Sequence, residues 1–204
     1  MVHHLDAHIV WLVAHYEAWT YLALGVIVFL ENGVVLTPFL PGDSLIFVCG
    51  SLAAKGAIHP TWLIITLILA SSFGAFLNYA VGVFAKPYLE SGKLSFIRPA
   101  YIEKTQFYFS KYGQMTIFVA KFLPIVRTFA PFLAGVSKMP LMAFAFYNLL
   151  GSLVWTFFFV GAGFYFGNIP IVKDNLLVVA LTIGCFSVLP IIWKLFRGSR
   201  TINA

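Results

Sequence analysis

Residues 29–47 read FLENGVVLTPFLPGDSLIF, and residues 120–137 read AKFLPIVRTFAPFLAGVS. Both are apolar stretches cut short by two charges and punctuated by Pro and Gly. Pro lacks a backbone N–H and breaks a helix, while Gly permits a tight turn. Unwound backbone at membrane depth is tolerated only where it lines a cavity or is covered by protein. An ionisable side chain at that depth costs about 2.5–3.5 kcal/mol on insertion scales. Interrupted segments in both halves of a chain point to broken or re-entrant helices around a substrate site. The two stretches therefore predict re-entrant hairpins near residues 33–54 and 114–137. Pro38, Pro41 and Gly42 would shape the first, and Pro124, Pro131 and Gly135 the second.

The rest of the sequence supports a membrane reading. Of 204 residues, 61% are hydrophobic and 10% charged, and mean hydropathy is +0.93. Soluble domains average about 45–50% apolar and about 25% charged. These values exclude an ordinary soluble domain, a disordered chain and a disulfide scaffold. Residues 56–85, 139–172 and 175–193 carry no Asp, Glu, Lys or Arg, and each is long enough for a spanning helix. The expected fold class is an all-α polytopic membrane protein, with transmembrane helices, two inverted re-entrant helical hairpins and amphipathic interfacial helices. Three regions follow: an amphipathic N-terminal helix over 1–17, a membrane domain over 18–170, and a final transmembrane helix with a basic tail over 171–204. Leu5, Ile9, Leu12, Val13 and Tyr16 fall at helical spacing in the first region, and Tyr101, Thr105, Tyr108, Phe109 and Tyr112 mark a second amphipathic candidate. The N-terminus shows no cleavable signal pattern.

The net charge of +6 fits a positive cytoplasmic face rather than nucleic-acid binding, since no basic run is interleaved with aromatics. Lys86, Lys93, Arg98, Lys104 and Lys111 place the central loop in the cytoplasm, and Lys194, Arg197 and Arg200 place the tail there. Both termini are then cytoplasmic, and the two hairpins enter from opposite sides.

Four charges carry the functional reading: Glu31, Asp43, Lys121 and Arg127. Glu31 is either a proton-binding carboxylate in a polar cavity or a helix-end group at the headgroups. Asp43 either binds protons or caps a helix beginning at Ser44. Lys121 and Arg127 flank Pro124 and suit an anion, Arg with a planar fork matched to phosphate and Lys as a point charge. Structural ion pairs with the two acids, or snorkelling to the interface, are the alternatives for this basic pair.

A local repeat is also visible: TPFLPGDS at 37–44 against APFLAGVS at 130–137. Cys49 and Cys185 stand far apart in apolar runs, with no metal spacing. No cofactor or metal is expected. The Lys121–Arg127 spacing resembles that of lipid phosphatases, but the five His, at 3, 4, 8, 15 and 59, lie outside the inferred polar core. Catalysis is therefore disfavoured.

The stretch 29–47 resembles the N-terminal signature of the DedA family, an acid followed by a Pro-x-x-Pro-Gly turn and a second acid. Residues 111–155, KYGQMTIFVAKFLPIVRTFAPFLAGVSKMPLMAFAFYNLLGSLVW, resemble its second signature. The resemblance implies a bacterial inner-membrane protein with inverted re-entrant hairpins, a fold shared with the VTT, or SNARE-associated, domain proteins linked to lipid scrambling. It implies a role in recycling undecaprenyl phosphate and in proton-motive-force-dependent envelope maintenance. By position, the family's acidic pair falls on Glu31 and Asp43, and its basic pair on Lys121 and Arg127. The first basic position is commonly Arg in the family and is Lys121 here. Ala75 stands where close relatives often carry Asp.

The leading expectation is a flippase for a polyprenyl phosphate such as undecaprenyl phosphate. Lys121 and Arg127 neutralise the phosphate, and Glu31 and Asp43 bind protons or pair with the bases when the headgroup is absent. Membrane lipids and protons are the expected partners, and a homo-oligomer is compatible with the sequence. The alternative is a proton-coupled carrier of ions or small cationic solutes.

Overall fold

The computed structural model describes residues 17–34, 42–90, 109, 111–166 and 169. Six α-helices are described: α1 (Glu17–Gly33), α2 (Gly42–Ala54), α3 (Pro60–Glu90), α4 (Thr116–Ala120), α5 (Pro124–Val136) and α6 (Leu141–Phe166). A 3-10 turn, Gly113–Met115, precedes α4. No strand occurs among the described residues, so the all-α reading holds.

The charge-free stretches at 56–85 and 139–172 become α3 and α6. At about 1.5 Å per residue, both exceed the roughly 30 Å hydrocarbon core. Their outer surfaces carry Trp62, Leu69, Phe73 and Phe84, and Met142, Phe146, Phe157 and Phe158, all exposed. So much apolar surface would drive aggregation in water and suits lipid. Helices α2 and α5 have 13 residues each, about 20 Å, which is too short to cross. That length is consistent with re-entrant arms. The second hairpin is described as α4, a turn and α5. Of the first, only the α2 arm is described, and Pro38 and Pro41 lie outside the described residues. So do the expected N-terminal amphipathic helix, most of the Ala100–Tyr112 candidate, the final transmembrane helix and Cys185.

Two matched units emerge. In each, a 13-residue helix leads through a tight turn into a long spanning helix. The turn after α2 has Gly56 at φ 73°, with Gly56 N–H donating to Ala53 O and Ala57 N–H to Leu52 O. The turn after α5 repeats this pattern with Lys138 at φ 54°, Lys138 N–H to Gly135 O and Met139 N–H to Ala134 O. Both are left-handed C-terminal caps that satisfy the last free carbonyls.

The units exchange partners. Helix α2 packs on α6 of the other unit, and α5 packs on α3. The contacts are matched: a Cβ on Gly163 would strike the Phe47 carbonyl, and one on Gly82 would strike that of Phe132. Gly50 lies equally close to the Val160 carbonyl, and Gly135 to that of Tyr79. Such glycines let two backbones touch, a usual device where helices meet in lipid. Phe47-x-x-Gly50 is therefore the counterpart of Phe132-x-x-Gly135. Gly82 and Gly163 stand 81 residues apart, as do Ser71 and Ser152, whose hydroxyl oxygens approach to 3.4 Å. Equivalent residues that touch each other lie on a two-fold axis, so an internal pseudo-two-fold passes between α3 and α6.

This corrects the repeat read between 37–44 and 130–137. Gly42 opens α2, whereas Gly135 lies one residue from the end of α5. The strings look alike but occupy opposite ends of their helices.

Candidate functional site

Each of the four charges owes its place to a helix end or a break. Lys121 follows α4, and the turn after it is closed by Phe122 N–H to Val119 O and Leu123 N–H to Ala120 O. Pro124 then opens α5 at a position that needs no donor. Arg127 N–H bonds to Leu123 O at 2.9 Å, which fixes Arg127 in the first turn. Glu31 sits near the C-terminal end of α1, where the helix dipole disfavours an anion. It therefore needs a cation. Asp43 sits in the first turn of α2, where the dipole favours it. Helix α2 begins at Gly42, so Asp43 lies within the helix, and its carboxylate faces Arg127 rather than capping a helix from Ser44.

Arg127 holds both acids. Its Nη1 donates to Asp43 Oδ1 at 2.7 Å, and its Nη2 bonds to Glu31 Oε1. The guanidinium lies over the Trp155 ring at 5.7 Å, within cation–π range. Glu31 is fully buried, and Arg127, Asp43 and Lys121 are nearly so. Charges this dry persist only when paired and hydrogen-bonded. Gly42 lies directly against the Glu31 carboxylate, which a Cβ there would push aside.

Lys121 takes a different partner from the one expected of a structural ion pair. Its Nζ donates to Ser71 Oγ at 2.8 Å and to Ser71 O at 3.4 Å. It still lies within coulombic range of Arg127 and Glu31. The four charges thus form one buried group, drawn from α1 (Glu31), α2 (Asp43), the end of α4 (Lys121) and α5 (Arg127). Snorkelling is excluded for both bases by their burial.

A frame of amides, which the sequence did not assign, holds the group. Asn78 Nδ2 donates to Thr128 O at 2.6 Å and to Asn32 O at 3.2 Å. It thereby ties the neighbour of Arg127 to the neighbour of Glu31. Asn148 Nδ2 donates to Ser72 O at 3.2 Å, and Asn32 Nδ2 to Val28 O at 2.8 Å. Asn78 and Asn148 are polar residues inside the charge-free stretches 56–85 and 139–172, which is the signal the sequence offers for them. Ser71, Ser152 and Trp155 gave none. Pro131 lies inside α5 and Gly135 against α3. Ala75 is buried in an apolar cluster with Ile117, Val126 and Phe144, with no acid in its place. Cys49 is free and buried in α2.

A buried guanidinium and ammonium side by side can accept a phosphate, and the two carboxylates can exchange places with it. Comparison with known proteins agrees with a membrane role. The model of the VTT domain matches residues 40–165. Protein DedA of Escherichia coli K12 is 40% identical over 97% of this chain and 91% of its own length. Inner membrane protein YqjA of the same strain is 32% identical over 88% of this chain and 87% of its own. An uncharacterized membrane protein of Mycobacterium leprae, ML0287, is 35% identical over 86% and 79% respectively. No solved structure matches.

Proposed function

The chain belongs to the DedA family of VTT-domain membrane proteins, and from that premise we propose that it translocates a polyprenyl phosphate, undecaprenyl phosphate, across the bacterial inner membrane. The observation that carries this reading is Arg127 bridging Glu31 and Asp43 in the interior, with Lys121 alongside. A phosphate cannot cross hydrocarbon without matched charge. The protein offers two cations for it, and two carboxylates that hold Arg127 while no headgroup is present. In this reading the arriving phosphate takes Arg127 from one or both acids, and a freed acid binds a proton. That exchange couples lipid movement to the proton gradient. The prenyl tail stays in the bilayer throughout. Both termini face the cytoplasm, as the basic loops require.

A carrier of small cations would use the carboxylates as its substrate site. Both carboxylates are engaged by Arg127 here, which favours the phosphate reading.

The test is transbilayer movement of undecaprenyl phosphate in liposomes holding the purified protein, with and without a pH gradient. Wild type should accelerate movement, Arg127→Ala should abolish it, and Glu31→Gln should remove its response to the gradient. Wild-type movement by folded Arg127→Ala would overturn the proposal.

A further inference from the structure

We propose that the hydroxyls of Ser71 and Ser152 form, with Lys121, the cradle that takes the phosphate monoester headgroup. This rests on the reading of the protein as a carrier of a lipid phosphate and names the residues that would hold it.

The two cations differ in availability. Arg127 is held at both ends by carboxylates. Lys121, 4% exposed, donates only to the hydroxyl and carbonyl of Ser71 among the described residues. An anion reaching Lys121 displaces a neutral hydrogen bond, whereas one reaching Arg127 must break an ion pair. The first is the easier exchange. Lys121 is therefore the entry cation, and what surrounds it decides what it can hold.

Two hydroxyls surround it. Ser71 Oγ accepts from Lys121 at 2.8 Å, which leaves its own hydrogen free to turn. Ser152 Oγ lies 3.4 Å from Ser71 Oγ, and neither serine is exposed to any degree. The pseudo-two-fold explains why both face one point: they are equivalent positions where α3 crosses α6. Gly151 makes the approach possible, since a Cβ there would come within 3.0 Å of Lys121 Cγ. A phosphate monoester offers three peripheral oxygens. One ammonium and two rotatable hydroxyls can each donate to one of them.

A merely structural role for the serines would be to tie α3 to α6, and the two roles separate in kinetics. The experiment measures the rate of undecaprenyl phosphate movement in proteoliposomes against the mole fraction of that lipid. Wild type, Ser71→Ala, Ser152→Ala and the double variant are compared after each is shown to be monodisperse. A lost hydrogen bond to a charged group should raise half-saturation about tenfold per serine. The maximal rate should change less, and Ser71→Thr, which keeps the hydroxyl, should restore affinity. Ser71→Cys supplies a near-isosteric poor donor should the alanine protein not fold, and it should show the same rise. Unchanged half-saturation in the folded variants would overturn the cradle. If Arg127→Ala is inactive in the same assay, that result leaves the translocase reading standing. If Arg127→Ala moves the lipid normally, the translocase reading itself falls, and the cradle with it.

Discussion

Adding one methyl group at Gly163 should destabilise the protein, while the same change at Gly161, on the same helix, should not. The Cβ of Gly163→Ala would meet Phe47 C at 2.9 Å and Phe47 Cα at 3.1 Å, with the carbonyl oxygen closer still. These are backbone atoms, so no rotamer change relieves the clash, and α2 must move off α6. Overpacking of this kind costs about 1–3 kcal/mol. A Cβ on Gly161 meets nothing within 4 Å. Both changes gain about 1 kcal/mol from the better helix propensity of Ala. Gly161→Ala should therefore be stabilised by about 1 kcal/mol, and Gly163→Ala should fall below it by about 1–3 kcal/mol. Equilibrium unfolding in mixed detergent micelles reads the difference directly. Because α2 also carries Asp43, Gly163→Ala should loosen the Asp43–Arg127 contact and slow lipid movement. Equal or greater stability of Gly163→Ala would refute the swapped close packing of α2 on α6.

Three further outcomes follow from other contacts. Lys138 holds the left-handed position that Gly56 fills in the matching turn, so Lys138→Gly should raise stability by about 1 kcal/mol in the same unfolding assay. Asn78→Ala removes the strap between Thr128 O and Asn32 O and both of its buried hydrogen bonds. It should cost about 1–3 kcal/mol and reduce lipid movement, whereas Tyr79→Phe, which loses one bond to Met139 O, should reduce stability by about 1 kcal/mol and leave movement near wild type.

The sequence made the charged centre legible because charge inside an apolar run is costly and has few explanations. Glu31, Asp43, Lys121 and Arg127 stood out on that ground and meet in one buried group. Ion pairing of the bases with the acids was one of the alternatives the sequence offered, and it holds for Arg127, but its detail was not legible. Spacing along the chain cannot show that both acids share Arg127 while Lys121 turns to a serine, since Ser71 lies 50 residues from Lys121. Ser71 and Ser152 were invisible for a related reason. Serine in a spanning helix usually satisfies its own helix backbone, so no pattern marks the two that cross. The long apolar helices were legible where charge was absent over a full helix length, as in α3 and α6. The repeat misled because a short match of apolar and turn residues arises readily in a Phe- and Leu-rich chain, here with 22 Phe. The true correspondence rests on single glycines, whose meaning appears only when a second backbone lies against them.

The proposed translocation requires a lipid phosphate to come to rest on the buried bases. Nitrogen–phosphorus dipolar coupling by solid-state NMR tests it most directly, with ¹⁵N-labelled Arg and Lys and undecaprenyl phosphate in nanodiscs. A charge-assisted contact of about 2.7–2.9 Å between nitrogen and oxygen places phosphorus within about 4 Å of the side-chain nitrogen. Such couplings are expected to one lysine and one arginine, lost from the lysine signal in Lys121→Met and from the arginine signal in Arg127→Gln. Couplings that survive both substitutions, or none above those of surface basic residues, would contradict it.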